Sequence, residues 1–427
     1  MRNGEIHYLA TKAISLLAVP VSIYFISTGM TPIEQGYYYA MLSLIQIQIL
    51  GDFGFNVVLS QYISHEWGSI QENKDGAKDR LSSLIKIALV WGSIIPVFTA
   101  LLVAVGGFFY FNKVEGAQVE WLAPWLLLTI TIAISMFGST LRVVAEGCYK
   151  IREVQIVSLI TLCFGSAALC LSLYFGLKLY SLVISQAFQG ILLVVILAYR
   201  NIEILKLSKM KELSSKIYWG KDFIHQQIKI GISWISGYLM YQSFVPILMI
   251  TAGADSAGKF GLLLQAYNFT HSISMVWLNN VQPYFGGYWA SGNVNKIKKL
   301  TKQIVTKSII TACIFVVMAI LFIFLLKLYY PSIGNRFSEI SVCIIMLSVV
   351  VLKQEQAVYT SVIRYSKIEP FLYPTLIVSL LVVMSNILFS RNSVLMVTIL
   401  YFILNGIILT KITKYIYNNK IKRYGLL

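Results

Sequence analysis

Acidic residues are scarce in this 427-residue chain: 18 Asp and Glu stand against 35 Lys and Arg, leaving a formal charge of +17. Histidine is scarcer still at four, and the five cysteines show no C-x-x-C or Cys/His ligand spacing. That excludes a disulfide framework and a clustered metal site, so Cys148, Cys163, Cys170, Cys313 and Cys343 read as small buried apolar residues. No G-x-x-x-x-G-K-[ST] loop occurs, which excludes nucleotide binding by that route, and neither H-E-x-x-H nor a dense acid/His cluster is present. No metal or cofactor is called for. Charged residues make up only 12% against 57% apolar ones, and the mean hydropathy of +0.72 excludes an ordinary soluble domain. The excess positive charge is scattered over short segments instead of being gathered on one face, which excludes nucleic acid as a partner.

What is abundant is long apolar sequence. Twelve runs stand out, at 8–28, 35–63, 81–109, 119–141, 154–176, 179–199, 227–251, 257–281, 303–326, 338–362, 369–390 and 394–416. Each reaches the roughly 20 residues an α-helix needs to cross a bilayer core of about 30 Å. With both termini and the even-numbered exits on one side, that side holds 29 basic residues and the other only six, Lys113, Lys178, Lys259, Lys327, Arg336 and Arg391. The basic side is cytoplasmic by the positive-inside rule. The expectation is a multi-pass protein of the bacterial inner (cytoplasmic) membrane with both termini cytoplasmic, its basic loops attracted to anionic membrane lipids. No cleavable signal peptide is visible, because the first run is long and lacks a small-residue cleavage site.

The largest interruption, residues 200–226, alternates Ile204, Leu205 and Leu207 with Lys206, Lys209, Lys211 and Lys216, and reads as an amphipathic helix on anionic headgroups. It divides the chain into an N-terminal six-helix bundle (1–200), a cytoplasmic linker (201–226) and a C-terminal six-helix bundle (227–427). Six spans on each side enter in the same orientation, as parallel repeats do. A faint echo, Gly36 followed by aromatics in the second run and Gly258 likewise in the eighth, fits a duplication. The fold class expected is all-α and polytopic, with twelve transmembrane helices in two six-helix bundles around a central hydrated cavity.

Polar side chains inside the runs point to where that cavity lies, because an ionisable group in mid-span costs at least about 2.5–3.5 kcal/mol and normally faces protein or water. In the second run Gln48, Asp52, Asn56 and Ser60 recur every four residues, with Asp52 inside Gly51-Asp52-Phe53-Gly54, where the glycines permit a local distortion. In the eighth, Gln265, Asn268, Ser272 and Asn279 form a stripe with His271 beside it. The tenth is interrupted by Lys353-Gln354-Glu355-Gln356, and Lys353, Gln356, Thr360, Arg364 and Lys367 follow helical spacing while Glu355 points the other way. Lys12 lies a turn inside the first run, and Arg142 and Glu146 are an i, i+4 pair in the fourth. Each has a structural alternative: an interfacial ion pair for Arg142–Glu146, snorkelling for Lys12, an interhelical hydrogen bond for His271, a helix-pinning carboxylate for Asp52, an ion pair for Lys353. Taken together, the stripes predict a net basic cavity.

The segment from Gly36-Tyr37-Tyr38-Tyr39 through Ser43 to Leu50-Gly51-Asp52-Phe53-Gly54 resembles the second-span signature of the O-antigen flippases (Wzx type), in the polysaccharide-transport branch of the multidrug/oligosaccharidyl-lipid/polysaccharide (MOP) exporter superfamily. Glu146-Gly147 at the fourth exit and the stretch from Gly231 through Ser236 and Gln242 to Gly258 and Tyr267 resemble the same family. The resemblance implies a transporter, not an enzyme, that moves an undecaprenyl-pyrophosphate-linked oligosaccharide from the cytoplasmic to the periplasmic leaflet by alternating access. It implies a polysaccharide polymerase and a chain-length regulator as partners. On that reading Lys353, Arg364, Arg142 and Lys12 attract the pyrophosphate, while Gln48, Asn56, Gln265, Asn268 and Gln356 bind sugar hydroxyls, and Asp52 or His271 couples an ion. One departure is that the seventh span near Phe244, acidic in many relatives, is apolar here, so no cation-coupling role transfers to it. Two rivals are a multidrug antiporter of the same superfamily, which predicts a smaller, acidic and aromatic cavity, and a membrane glycan polymerase or ligase, which needs a sizeable outward loop.

Overall fold

A helix is the one open-ended structure whose backbone hydrogen bonds are all internal, so apolar runs of this length can cross lipid only as helices. The computed structural model describes residues 19–73, 75–114, 119–209, 221–279, 281, 285, 288–289, 292–366 and 369–424, and they are helical with no strand among them. The twelve runs map onto α1 (Val19–Gly29), α2 in three pieces (α2a Pro32–Ile45, α2b Gln48–Asp52, α2c Phe55–Gln71), α3 (Ala77–Phe111), α4 (Leu122–Gly147), α5 (Ile151–Tyr174) and α6 (Tyr180–Arg200). Then follow α7 in two pieces (α7a Lys221–Tyr241, α7b Phe244–Thr251), α8 (Ala254–Ser274), α9 (Val294–Tyr329), α10 (Ile340–Arg364), α11 (Leu372–Phe389) and α12 (Val394–Lys422).

Eight of these are long and apolar enough to span a membrane as single helices: α3 to α6 and α9 to α12. Among the others, α2 and α7 are broken and α8 carries the polar stripe of Gln265, Asn268 and His271. The two longest, α3 and α9, have 35 and 36 residues, about 50 Å at 1.5 Å per residue. Their outer faces are bare of protein. Ile94, Phe98, Leu101 and Phe109 on α3, and Ile314, Val317, Leu321 and Leu328 on α9, are all exposed. Such stripes are too large for water and suit lipid.

The chain forms two compact units, Met1–Ile235 and Ser236–Leu427, with the division inside α7a. In the first, α4 packs on α3, α5 and α6, and α2c on α3 and α4. In the second, α10 packs against α8, α9 and α12, and α7b against α8 and α11. Of the apolar side chains expected on headgroups, Ile204 is buried at 5% exposed, and the half-buried Leu205 and Leu207 pack with it against Phe55, Ile63, Leu84 and Val144. Ser82 Oγ donates to the Leu207 carbonyl at 2.7 Å. The remainder of the expected amphipathic linker, 210–220, lies outside the described residues. The cysteines correct another expectation: Cys148 and Cys343 are buried, but Cys163 and Cys313 are exposed on the spans.

Candidate functional site

The break in α2 builds the site. After Asp52 the backbone enters the left-handed region at Phe53 (φ 45°) and Gly54 (φ 80°) before α2c begins. Glycine adopts that conformation freely, whereas Phe53 does so against a steric cost of about 1–2 kcal/mol. The Phe53 ring rests where a side chain on Gly231 would be, 2.6 Å from the ideal Cβ position. Gly51 lets Thr99 of α3 approach equally closely. Across the break, Asp52 Oδ1 accepts from the Asn56 backbone N–H at 3.2 Å, a side-chain oxygen satisfying a donor that the helix start leaves open.

A cavity of about 490 Å³ opens beside this break within the first unit, a size usual for small-ligand sites. Gln48 and Asp52 from α2b and Asn56 from α2c line it with Trp91, Gly92, Ile95 and Pro96 from α3. From α4 come Ser135, Met136, Ser139, Thr140, Arg142, Val143 and Glu146, and from α7a Trp234. The Arg142 Nε donates to Glu146 Oε1 at 2.8 Å, so their charges offset each other. Among the described residues Asp52 pairs with no Lys or Arg. The described lining therefore carries one net negative charge; the net basic cavity expected from sequence draws on stripes in both halves, whereas this one lies within the first unit alone. Ser139 and Thr140 donate to their own helix at Ser135 and Met136 carbonyls, which leaves their oxygens as acceptors. Among the described residues Asn56 Oδ1 is buried with no partner.

The second unit holds a separate polar centre. The Lys353 ammonium of α10 lies 3.7 Å from the ring centroid of Tyr241 and 5.4 Å from that of Tyr267, an arrangement that suits a cation. No carboxylate among the described residues reaches it. Glu355 does point the other way, to Lys414 of α12 at 2.8 Å and the Tyr359 hydroxyl at 2.9 Å. The neighbouring Gln354, fully buried, donates from Nε2 to His271 Nδ1 at 2.9 Å. Close by, α12 widens into a π-helical turn, Phe402–Leu409, where Asn405 Nδ2 donates to Tyr401 Oη at 2.8 Å. Such turns recur at functional sites.

Of the residues singled out from sequence, Gln48, Asp52, Asn56 and Arg142 come together in the cavity, and Lys353 sits near His271 through Gln354. Ser60, fourth in its stripe, does not line the cavity, because the backbone turns at Phe53–Gly54. Gln265 is half-buried, Asn268 exposed, and Gln356 buried with Oε1 unpartnered among the described residues; none lines the cavity. Arg364 is held bidentately by Glu369, at 2.7 and 3.1 Å. Lys12 and Lys367 lie outside the described residues. Sequence reasoning missed Trp91, Trp234 and Tyr241, because an aromatic in an apolar run carries no polar signal, and Tyr267 entered only through the family resemblance.

No protein-family model matches the sequence, and no curated protein matches it. Solved structures do match. The fold is that of the MATE transporters of the MOP superfamily, twelve helices in two lobes. An inward-facing conformation of a multidrug resistance MATE family transporter is similar over 98% of each chain, with TM-score 0.74 and 13% identity. An outward-facing conformation of such a transporter matches 97% of this chain and 94% of that one, with TM-score 0.60 and 12% identity. A MOP superfamily transporter from Pyrococcus furiosus, described as having a binding pocket of reverse polarity, matches over the same shares with TM-score 0.59 and 12% identity. Together with the eight apolar helices, this fold defines a multi-pass membrane protein.

Proposed function

We propose that the chain is a transporter, and specifically a flippase that carries an undecaprenyl-pyrophosphate-linked oligosaccharide from the cytoplasmic to the periplasmic leaflet of the bacterial inner membrane by alternating access. The observation that carries this reading is the lining of the first unit's cavity, where amides and hydroxyls (Gln48, Asn56, Ser135, Ser139, Thr140) stand with two tryptophans. Each bare sugar hydroxyl taken through hydrocarbon costs on the order of 4–8 kcal/mol, and such a lining replaces the lost water while indole faces cover the C–H faces of the ring. Lys353 is the phosphate-attracting group on this reading, having no carboxylate to compete for it among the described residues. Arg142 and Arg364 could take part only by exchanging Glu146 and Glu369, and Lys12 would join them from the first span. Gln265, Asn268 and Gln356 would extend the sugar contacts in the second unit, and Asp52 would couple an ion, His271 being engaged with Gln354.

The polymerase or ligase reading has little support. The gaps on the sparsely charged side are short, the longest being the segments after α3 and before α10, about ten residues each, too little for an ordered catalytic loop. The organic-cation antiporter has a specific observation in its favour, the acidic charge of Asp52 in a lining that also holds Trp91 and Trp234. Complementation separates the two. In a strain whose own flippase is deleted, the chain restores surface glycan, and Lys353→Ala at normal membrane levels lowers that export by about ten-fold or more. Full export by Lys353→Ala overturns the phosphate role, and resistance to organic cations without glycan export overturns the flippase reading.

A further inference from the structure

The cavity of the first unit also restricts which sugars it accepts. The uncompensated charge that faces it is an acceptor. The Asp52 carboxylate has no basic partner among the described residues, and the Ser139 and Thr140 protons are committed to their own helix. The guanidinium of Arg142, the one cation of the described lining, is neutralised by Glu146 at 2.8 Å. A ligand that answers Asp52 must supply a donor, while the amides of Gln48 and Asn56 can both give and take hydrogen bonds. Uronate, sialate or phosphorylated sugars bring carboxylate or phosphate oxygens instead, and meet the negative charge of Asp52. Hydroxyls fit, and an ammonium on the sugar ring adds a charge complementary to Asp52 in a lining that also holds Trp91 and Trp234.

Resting on the flippase reading, we infer that this cavity selects an oligosaccharide with amino-bearing sugars, takes neutral sugars less tightly and rejects acidic ones, Asp52 being the residue that sets the selection. The arrangement assigns charge recognition to two places: sugar in the first unit at Asp52, phosphate in the second at Lys353.

The test uses the full-length purified chain in lipid nanodiscs at neutral pH and reads quenching of tryptophan fluorescence, assigned with Trp91→Phe and Trp234→Phe. Three soluble probes are titrated: a glucosamine trimer, an N-acetylglucosamine trimer and a galacturonate trimer. The glucosamine trimer is expected to bind about ten-fold or more tightly than the galacturonate trimer, with Asp52→Asn closing that gap to about three-fold or less and Asp52→Glu preserving it. An acidic trimer that binds wild type as tightly as the amino trimer overturns the inference while the flippase reading stands. So does a gap unchanged in Asp52→Asn. If no trimer quenches and tetraphenylphosphonium does, the flippase reading falls and this inference with it.

Discussion

Asp52 and Lys353 are legible from sequence for the same reason: a charge in an apolar run is expensive enough to need a purpose. What sequence does not disclose is the partner. Glu355 and Lys414 are separated by 59 positions yet meet at 2.8 Å, and Arg364 is held by Glu369, five positions on. A pair at the outer end of α2a, just ahead of the second apolar run (35–63), gives a residue-scale prediction. Glu34 shares a capping box with Thr31 at the start of α2a and lies 2.7 Å from Lys178. Burial pushes its carboxyl up, but the hydrogen bonds from Lys178 and Thr31 and the ammonium charge outweigh this and hold it below its usual value. Because the folded value is depressed, the pair contributes stability above glutamate's ordinary pKa of about 4.3 and loses it as pH falls through the folded value. Wild type should therefore melt above Glu34→Gln at pH 7, with the gap closing below about pH 4; a gap constant with pH would remove this role from Glu34.

Elements were legible where a run is apolar throughout, as in α3 to α6 and α9 to α12. The breaks were less so. The glycines around Asp52 announced a distortion, but the interruption of α2 after Ile45, that of α7 at Gln242-Ser243, and the π-helical turn of α12 have no comparable mark. Packing decides them after the local sequence has allowed several outcomes. At Gly51 the packing is specific: an added Cβ would lie 2.2 Å from Thr99 Oγ1. Gly51→Val is expected to destabilise by about 1–3 kcal/mol, read as a lower thermal midpoint, and Thr99→Gly in the same chain should recover part of the loss. No coupling between the two would mean that α2b and α3 do not meet as described. Gly231→Leu should act likewise against Phe53, displacing its ring from the seat that offsets its left-handed backbone.

For the whole molecule, the number of helices follows from length, apolarity and the need to satisfy every backbone group in lipid, and the solved MATE structures share the twelve-helix, two-lobe result at 13% identity or less for the three compared. The charge of the cavity did not follow. Lys and Arg totals are dominated by loop residues that orient the chain, and they conceal an acidic site of three charged side chains. The orientation itself is testable: reporters fused to the two termini should both be active on the cytoplasmic side, with single cysteines placed at Lys113 and Lys327 labelled from the periplasm. The most direct test of the central claim is translocation by the purified chain in proteoliposomes, using a fluorescent undecaprenyl-pyrophosphate oligosaccharide with amino sugars and a reagent that quenches only the outer leaflet. The account predicts that the protected pool becomes exchangeable with wild type and does so about ten-fold more slowly with Lys353→Ala. Exchange no faster than in protein-free vesicles, alongside accumulation of an organic cation, would contradict it.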